Sequence, residues 1–462
     1  MNSGSDQSSG DLTRDDGYEL DRSAVAAILY AVDTQDKDQL TQLMEPLHAA
    51  DIADLLEQIN SNDRERLIHL YGREFDGEIL TELEESVREY VIPILNPQVL
   101  AEAVRDLETD DVVDLVEDLE EPQQEAILDV LEDADRVAVE QSLSYPENSA
   151  GRLMQREVVM APEHWNVGQT IDFLRESDDL PEQFYHVILV DPRMKPIGNV
   201  TLGKLMGARR EVLLLDLKEE VFEVLPVDQD EEEVAYAFNQ YHLISAPVVD
   251  NDDRLVGVIT IDDAMVVLDE EHEEDILRLA GVGESALSDS VADTSKKRLP
   301  WLGVNLFTAI CASLVISQFE ATISELVSLA ILMPIVASMG GNAGTQSLTV
   351  AVRALATKDL TGANVWRVIR RELLVGMLNG LCFAAVLGVV GMLWFSSPML
   401  GAVIGTALVF NMIIAGFAGT VVPVTLDKLG IDPALASGTF VTTTTDVMGF
   451  FIFLGLASKV LL

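Results

Sequence analysis

One carboxylate lies deep within an apolar segment near the end of the 462-residue chain, at Asp446. If that segment is helical, Thr442 precedes Asp446 by about one turn, and Gly438 and Gly449 fall on the same face. An ionisable residue inside a membrane-spanning helix costs about 2.5 kcal/mol or more and usually faces a water-filled path. The segment therefore predicts a polar path through a membrane, and the alternative is a packed structural Asp446 that is hydrogen-bonded or protonated.

A second polar face is predicted in an earlier apolar segment, where five residues recur at helical spacing: Pro334, Ser338, Asn342, Thr345 and Thr349. The run G-G-N-A-G contains Gly341 and Asn342 within this segment. Small residues let membrane helices approach closely without any role in transport. The run therefore indicates either helix packing alone or a contribution to the polar path.

The charge of the chain is unevenly distributed. The formal net charge is −48, yet residues 296–462 contain 10 Lys+Arg and 7 Asp+Glu, which leaves a net of −51 on residues 1–295. A nucleic-acid partner is not expected, because binding phosphates requires clustered Lys and Arg. A secreted disulfide scaffold is not expected either, since the only cysteines, Cys311 and Cys382, lie in apolar runs. The polar, acidic start of the chain predicts no signal peptide.

Five apolar segments of the back half each meet or nearly meet the length of about 20 residues that crosses a bilayer core. They are Leu299–Ser317, Leu326–Val350, Leu373–Phe395, Met399–Leu426 and Ala434–Leu462. Basic residues precede the first segment and fill the connection between the second and the third, whereas residues 318–325 and 396–398 contain no Lys or Arg. Because Lys and Arg are enriched in cytoplasmic loops, we predict a multi-pass protein of the cell (inner) membrane, with the N-terminus cytoplasmic and the C-terminus outside.

The acidic front half begins with a Ser/Gly/Asp-rich stretch typical of a disordered tail, followed by apolar residues at helical spacing up to Ser144. Within the helical stretch, Ala50–Leu70 aligns without gaps on Asp110–Val130, and each copy is typical of two short helices. Such units bury their apolar stripes by stacking on neighbours. We therefore predict a small α-helical superhelix with an acidic outer face.

After Tyr145, short β-rich runs alternate with helical ones. Strands are predicted over Glu182–Val190 and Ile197–Thr201 with a helix from Gly203, and again over Ala246–Asp250 and Leu255–Thr260 with a helix over Ile261–Leu268. The phrases P-I-G-N-V-T-L-G-K-L-M and R-L-V-G-V-I-T-I-D-D-A-M correspond position by position. These two β-β-α units resemble a tandem pair of cystathionine-β-synthase (CBS) domains. That resemblance implies a regulatory module that senses a ligand. An acidic helix over Asp269–Ala280 and a linker up to Ser295 follow.

Three membrane motifs resemble the MgtE family of magnesium channels and transporters: P-I-V-A-S-M-G-G-N-A-G-T-Q-S, R-E-L-L-V-G-M-L-N-G and D-P-A-L-A-S-G-T-F-V-T-T-T-T-D-V-M-G. The resemblance covers nearly the whole chain and implies a homodimer whose pore is lined by the second and fifth spans. The pore aspartate of the family corresponds to Asp446 and the asparagine of its G-G-N motif to Asn342. The ion path implied for this chain comprises Asp446, Asn342, Thr442, Gly341 and Gly438, although family members can have a polar amide where this chain has Gly438.

The resemblance also implies regulation by magnesium. In the family, Mg²⁺ bound among the N-terminal domain, the CBS pair and the connecting helix holds the pore shut. By motif position, the cytoplasmic ligands correspond to Asp230, Glu232, Asp263, Glu271, Glu274 and Asp275, and another family acid corresponds to His242. The alternative for any one of these acids is a solvated surface position. Some CBS pairs bind adenine nucleotides, and the sequence leaves this open for the present pair.

The expected architecture is therefore a multi-domain chain with an α-helical superhelix, an α/β tandem CBS pair, a connecting (plug) helix and a five-span α-helical membrane domain. The expected bounds are a tail over 1–22, the helical domain over 23–145, the CBS pair over 146–270, the connecting helix and linker over 271–296, and the pore domain over 297–462.

Magnesium chemistry fits these residues independently of the resemblance. Mg²⁺ prefers octahedral oxygen ligation and gives up its waters reluctantly, and two Asp446 side chains from two chains would supply a charge of −2 opposite its +2. No His/Cys cluster suits zinc or copper. The leading hypothesis is Mg²⁺ uptake gated by intracellular Mg²⁺. The alternatives are a transporter of another divalent cation, such as Co²⁺ or Mn²⁺, and a CBS-type membrane sensor without conduction. An enzyme is not expected, because the chain has no evident nucleophile–base pair or phosphate-binding Gly loop.

Overall fold

The computed structural model describes residues 20–105, 107–117, 119, 121–177, 180–181, 183–282 and 291–462. The chain divides into two compact units, Met1–Asp269 and Glu270–Leu462. Most of the tail predicted over 1–22 lies outside the described residues. Its last residues are ordered, because the first helix begins at Arg22 and the Asp21 carboxylate accepts a hydrogen bond from the Ser23 amide (3.2 Å) as its N-cap.

The first part of the first unit is helical, as predicted. Its described helices are α1 (Arg22–Thr34), α2 (Lys37–Met44), α3 (Ala49–Gln58), α4 (Ser61–Tyr71), α5 (Glu78–Thr81), α6 (Glu85–Val91), α7 (Pro97–Arg105), α8 (Thr109–Glu117), α9 (Glu121–Leu128) and α10 (Asp133–Ser142). Short 3₁₀ turns cover Gly72–Glu74 and Ile92–Ile94. Their apolar faces form one continuous core.

The internal repeat is confirmed as two helix pairs, α3–α4 and α8–α9. Residues at matching positions of the two copies are buried in the same core: Leu55 with Leu115, Leu56 with Val116, and Leu67 with Ile127. The repeat therefore reflects a shared apolar stripe that is buried against neighbouring helices.

The rest of the first unit contains two similar three-stranded sheets. The elements are α11 (Ala150–Leu153), β1 (Met160–Pro162), α12 (Val167–Glu176), β2 (His186–Val190), β3 (Pro196–Thr201), α13 (Leu202–Gly207), β4 (Leu225–Pro226), α14 (Glu231–Tyr241), β5 (Ser245–Val249), β6 (Leu255–Thr260) and α15 (Ile261–Leu279), with a 3₁₀ turn at Leu214–Asp216. In each sheet a short first strand pairs in parallel with the second, and the second pairs antiparallel with the third. Both antiparallel pairs carry the same register shift, at Leu189/Val190 and at Val248/Val249.

The two β-β-α units are thus confirmed, with three corrections. Strand β2, which was predicted to begin at Glu182, begins at His186, so Gln183–Tyr185 of the predicted strand are irregular. The short strands β1 and β4 were not predicted, because two or three residues carry too little periodicity to be recognised. The helix predicted over Ile261–Leu268 and the acidic helix predicted over Asp269–Ala280 are one continuous helix, α15.

The second unit consists of long helices. After α15 they are α16 (Val291–Ser317), α17 (Glu320–Glu325), α18 (Ser328–Ala356), α19 (Val365–Phe395), α20 (Pro398–Lys428) and α21 (Pro433–Val460). Residues 283–290 of the predicted linker lie outside the described residues, whereas Val291–Ser295 already belong to α16 and not to a linker. Four helices of the described chain, α16, α19, α20 and α21, are long and apolar enough to cross a membrane.

The remaining predicted span, the second one (Leu326–Val350), corresponds to α18, which has 29 residues. At 1.5 Å per residue α18 exceeds the hydrocarbon core of about 30 Å, and its G-G-N-A-G-T-Q-S run places several polar residues within that length. It packs against α20 and α21. Of the long helices, α20 is the most deeply buried. The helical membrane region is therefore confirmed, with four strongly apolar helices and a fifth that carries a run of polar residues.

Candidate ion path and acidic cluster

The polar face predicted on α18 is exposed in the single chain. Pro334, Ser338, Asn342, Thr345 and Thr349 are all exposed, whereas Val336, Gly340, Gly344 and Leu348 on the other side of the helix are buried. The Thr345 hydroxyl donates to the Gly341 carbonyl (3.0 Å), and the Thr349 hydroxyl donates to the Thr345 carbonyl (3.0 Å). With their protons engaged in the helix, these hydroxyls offer oxygen lone pairs outward.

Threonine hydroxyls of α21 also donate to carbonyls of their own helix. The Thr442 hydroxyl donates to the Gly438 carbonyl (2.9 Å), and Thr442 is exposed. Asp446 is half-buried one turn further on, and no hydrogen bond or ion pair of the described residues satisfies its carboxylate. This face of α21 therefore presents a carboxylate and hydroxyl oxygens, which are the ligand atoms that hard divalent cations prefer.

Glycines bring α18 and α21 together at the level of these residues. A Cβ added to Gly344 would lie 2.7 Å from Val441 Cγ1 and 3.5 Å from Thr445 Cγ2. Gly344 comes two residues after Asn342, and Thr445 directly precedes Asp446. The helices that carry Asn342 and Asp446 are therefore in close contact, as the small-residue run predicted. A Cβ on Gly341 would meet nothing within 4 Å, so Gly341 lies on the open side of α18.

A buried amide that the sequence did not single out lies beneath this face. Asn411 of α20 is fully buried, and its Nδ2 donates to the Val336 carbonyl of α18 (2.9 Å). A Cβ added to Gly340 would overlap Asn411 Nδ2, and one added to Gly449 would lie 2.8 Å from the same atom. Asn411 therefore fixes α18 and α21 on one central helix. A polar residue in a predicted span was its only signal in the sequence.

The end of α15 lies against the start of α21 within the second unit. A Cβ on Gly438 would lie 3.6 Å from the Leu279 carbonyl oxygen, an ordinary van der Waals contact, so the α15 backbone passes close to this position. Leu279 also packs on a buried cluster that includes Leu348, Ala434 and Val441.

A cluster of carboxylates forms in the first unit, where the helical domain meets the CBS pair. Asp110 is buried at the start of α8, with Glu108 and Asp111 beside it in the chain. The charge of Asp263, at the start of α15, contributes to raising the pKa values of all three carboxyl groups. Neighbouring groups bind the edge of the cluster. The Thr109 hydroxyl donates to Glu157 Oε1 (2.7 Å), Gln155 Nε2 donates to Glu108 Oε2 (2.8 Å), and the Thr260 hydroxyl donates to Asp263 Oδ2 (2.6 Å).

Burial is the main cause of the unusual acidity of these groups. Loss of solvation, and then the charge of Glu157, raise the pKa of Glu108 to about 7. Burial and the neighbouring Asp263 raise the pKa of Asp111 to about 7, and they raise that of Asp110 well above its usual range. Burial raises the pKa of Asp263 to about 6, against the lowering effect of the Thr260 hydrogen bond. The first unit therefore contains four carboxylates that resist sharing a small volume as anions.

The structure brings only some of the predicted cytoplasmic ligands to this cluster. Asp263 belongs to it, whereas Asp230 is exposed and caps α14 by accepting from the Glu232 amide (3.1 Å). Glu232 is exposed in the first turn of α14, and His242 ends that helix with φ of 54°. Glu271, Glu274 and Asp275 lie further along α15, where Glu274 pairs with Arg278.

Glu108, Asp110 and Asp111 were missed at the sequence level. Acids in the first turn of a helix usually need no explanation beyond the helix dipole. No group of three or more His, Cys, Asp or Glu side chains among the described residues has the geometry of a closed metal site. Mg²⁺ commonly binds through one or two carboxylates and retains several waters, so a ligand cage of three side chains is not required for it.

The CBS pair encloses a cleft between its two halves. His186 and Ser245 occupy equivalent positions 59 residues apart, and His186 Nδ1 lies 2.6 Å from the Ser245 hydroxyl oxygen. Burial lowers the pKa of His186. The cleft is lined by apolar, aromatic and polar side chains, among them Val159, Tyr185, Thr260 and the carboxylate of Glu157.

Together these features define a multi-pass membrane protein that carries a helical domain and a CBS pair. Family models match a divalent cation transporter domain over residues 333–456, the MgtE intracellular N domain over 47–148 and a CBS domain over 217–270. The magnesium transporter MgtE of Thermus thermophilus is 31% identical, over 96% of this chain and 99% of its own length. That of Enterococcus faecalis is 35% identical, over 69% of this chain and 71% of its own. The chain therefore belongs to the MgtE family of divalent cation transporters.

Among solved structures, the chain is similar to the cytosolic domain of the Mg²⁺ channel MgtE in complex with ATP. The two are 27% identical, and the match covers 53% of this chain and 99% of that one with a TM-score of 0.49.

Proposed function

We propose that this chain transports Mg²⁺ into the cell as a homodimer, through a path lined by α18 and α21. The observation that carries the proposal is the exposed polar face of α18 together with Asp446 and Thr442 on α21. Polar and ionisable groups in membrane helices rarely face lipid, because transfer into hydrocarbon is costly. A second copy placed against this face would remove it from lipid and enclose a hydrated path.

Symmetry then supplies the charge that a divalent ion needs. Two Asp446 carboxylates would balance one Mg²⁺, and the hydroxyl oxygens of Thr345, Thr349 and Thr442 could accept hydrogen bonds from its waters. A single carboxylate per chain, with no second acid beside it in the span, favours passive conduction down the electrochemical gradient. We place the two soluble domains in the cytoplasm and the C-terminus outside, on the basis of the Lys/Arg distribution.

We also propose that intracellular Mg²⁺ closes this path by binding to carboxylates of the soluble domains. The cluster of Glu108, Asp110, Asp111 and Asp263 supports this proposal, since burial and then mutual repulsion raise their pKa values, and a bound divalent cation would offset both. Asp263 and Arg278 lie on the same uninterrupted helix, α15. Ion binding at the start of that helix can therefore influence the contacts at its end.

The test is Mg²⁺ uptake into proteoliposomes that contain an internal Mg²⁺ dye. The unsubstituted chain should take up Mg²⁺, Asp446→Asn should abolish uptake, and Asp427→Asn, the same change at an exposed position near the end of α20, should leave uptake unchanged. Equal uptake by folded Asp446→Asn would exclude a carboxylate path. No uptake by the unsubstituted chain would favour a membrane sensor, and faster uptake of Co²⁺ or Mn²⁺ would favour a different cargo.

A second proposal concerns the cleft of the CBS pair, which we infer binds an adenine nucleotide as a regulator. The free space in the cleft is about 20 Å³, so a nucleotide would enter only by separating the aromatic and aliphatic walls, where Tyr185 could then contact a purine ring. Isothermal titration with ATP, ADP and AMP tests this inference. Tyr185→Ala should weaken binding, whereas Tyr30→Ala, which changes an exposed tyrosine of α1, should not.

A further inference from the structure

The first turns of α19 carry an unusual combination of side chains on one face. Arg367, Arg370 and Arg371 share one open, nearly flat face of α19 with Leu374, Val375 and Leu378. The spacing of these residues follows the i, i+3, i+4 periodicity of a single helical stripe. The stripe is cationic at its first turn and apolar over the next two turns.

The three arginines are not engaged within the described part of the chain. All three are exposed, and none of the ion pairs or side-chain hydrogen bonds of the described residues involves them. The nearest acid in sequence, Glu372, accepts a hydrogen bond from the Ser347 hydroxyl of α18 (2.8 Å) instead. In a chain with a net charge of −48, three adjacent arginines without carboxylate partners call for an anion from outside.

The apolar half of the stripe is exposed as well. Leu374, Val375 and Leu378 are 51%, 41% and 62% exposed, and Trp366, beside the first arginine, is 72% exposed. Tryptophan is enriched at the level of lipid headgroups. On a membrane-spanning helix, the arginines therefore lie at headgroup depth and the leucines and valine at acyl-chain depth.

We propose that this face, residues 366–378 of α19, is a binding site for an anionic phospholipid. Guanidinium groups bind phosphate through paired hydrogen bonds, and the leucines and valine contact an acyl chain of the same molecule. Free phosphate would use only the arginines and would leave the apolar stripe without a role. A general preference of basic residues for the cytoplasmic side accounts for the charge but not for its alignment with an exposed apolar stripe on the same helix face. The site is independent of the proposed ion path, since it uses none of the residues of that path.

The test compares lipid retention by the full-length protein using native mass spectrometry. The protein is equilibrated with phosphatidylglycerol and phosphatidylcholine of identical acyl chains. Arg367, Arg370 and Arg371 are changed together to Gln. The matched control changes Lys296, Lys297 and Arg298 to Gln, which removes the same charge just before the first span. A third variant, Leu374→Ser/Leu378→Ser, alters only the apolar stripe.

The unsubstituted chain and the control variant with Lys296, Lys297 and Arg298 changed to Gln should both retain phosphatidylglycerol in preference to phosphatidylcholine. The arginine variant should lose about tenfold or more in affinity for it, and the leucine variant should bind it more weakly at unchanged charge. Inorganic phosphate at millimolar concentration should not displace the lipid. Equal losses in the arginine variant and its control would indicate surface charge alone and overturn the proposal. Displacement by phosphate, or no lipid preference in the unsubstituted chain, would also overturn it.

Tryptophan quenching provides a second measurement if the arginine variant fails to fold. Brominated phosphatidylglycerol should quench the fluorescence of the unsubstituted chain more than brominated phosphatidylcholine does. Trp366→Phe should remove that difference, because Trp366 lies one turn before Arg370. Equal quenching by both lipids in the unsubstituted chain would contradict the site.

Discussion

Arg278 Nη1 lies 2.6 Å from Asp432 Oδ2, so an ion pair joins the last turn of α15 to the residue that caps α21. The other oxygen of Asp432 accepts a hydrogen bond from the Ala434 amide (2.7 Å), while Arg278 also pairs with Glu274. Gly281, with φ of 69°, ends α15 by donating to the Arg278 carbonyl (2.9 Å). The position of Arg278 is therefore fixed by the helix end as well as by its ion pairs.

We predict that Arg278→Ala raises Mg²⁺ flux at millimolar internal Mg²⁺. A half-buried, charge-assisted contact of this kind contributes about 1.5–3 kcal/mol, which corresponds to about tenfold or more in a closed–open equilibrium if it forms only in the closed state. Flux into proteoliposomes with defined internal Mg²⁺ is the measurement. Arg278→Lys should retain part of the effect, and Arg254→Ala, which removes an exposed and long ion pair with Asp252 (3.9 Å), should change nothing. Unchanged gating in Arg278→Ala would show that this contact does not hold the path closed.

The neighbouring glycines of α18 provide a second prediction. Gly340→Ala should destabilise the membrane unit, because its Cβ would overlap Asn411 Nδ2 in a fully buried contact. Overpacking of this kind costs about 1–3 kcal/mol. Gly341→Ala meets open space and should be neutral or stabilising by about 0.5–1 kcal/mol, since alanine favours helix. Thermal unfolding in detergent decides between them, and equal losses of stability would contradict the role assigned to Asn411.

These two glycines also show what the sequence can predict. The run G-G-N-A-G predicts close packing, and Gly344 confirms it through its contact with Val441. The sequence does not say which glycine faces a neighbour, because that depends on Asn411, which is distant in the chain and comes close only in the folded structure. The same holds for the acidic cluster. Its members Asp110 and Asp263 lie at the starts of two helices, in different domains, and neither stretch differs locally from an ordinary helix N-terminus.

Repetition in the sequence made other parts predictable. The repeat of α3–α4 in α8–α9 and the two CBS phrases could be aligned, so both folds followed from comparing the chain with itself. The short strands β1 and β4 are exceptions. They are stabilised by pairing with β2 and β5, and their own sequences carry no strand pattern.

The third prediction concerns Asn342. If its amide contributes to the hydration of the ion, Asn342→Ala should change the preference for Mg²⁺ over Ca²⁺, and Asn342→Leu should block flux. Asn342 is exposed on the open face of α18, so neither change should lower thermal stability. Competition between Mg²⁺ and Ca²⁺ in the uptake assay is the measurement. An unchanged preference in Asn342→Ala would limit Asn342 to helix packing.

The fourth prediction is a pH dependence of the first unit. The pKa values of about 7 for Glu108 and Asp111 and about 6 for Asp263 lie above the usual 3.8–4.5. The folded state therefore binds more protons than the unfolded state between about pH 4 and 7, so the stability associated with these groups falls as pH rises through that range. In a chelator, the unfolding midpoint of this unit should decrease from pH 5 to pH 8. Added Mg²⁺ should restore it at pH 8 and have little effect at pH 5.

A neutralised member of the cluster should reduce both effects. Asp111→Asn should raise the midpoint at pH 8 in chelator by a few degrees, because about 1 kcal/mol shifts a domain of this size by about 2–4 °C. It should also weaken the response to Mg²⁺. Asp135→Asn, in the first turn of α10 and exposed, serves as the control. Circular dichroism of the full-length protein follows the transition, and a Mg²⁺ response equal to that of the unsubstituted chain would place the ion elsewhere.

The last prediction tests where the magnesium sensor lies. Removal of residues 1–260 leaves α15 whole, whereas a cut at residue 270 would divide it. The shortened chain should conduct Mg²⁺ but no longer close at millimolar internal Mg²⁺, because the deletion removes Glu108, Asp110 and Asp111. Repulsion between two carboxylates about 4 Å apart is about 1 kcal/mol in water and about 4 kcal/mol near a protein surface. A few bridging ions therefore suffice for the shift of about 5.5 kcal/mol that inverts a 1:99 equilibrium.

Neutralising Asp263, Glu271, Glu274 and Asp275 together should have a milder effect in the same direction. Normal closure of the shortened chain, measured by flux at fixed internal Mg²⁺, would locate the sensor in residues 261–462.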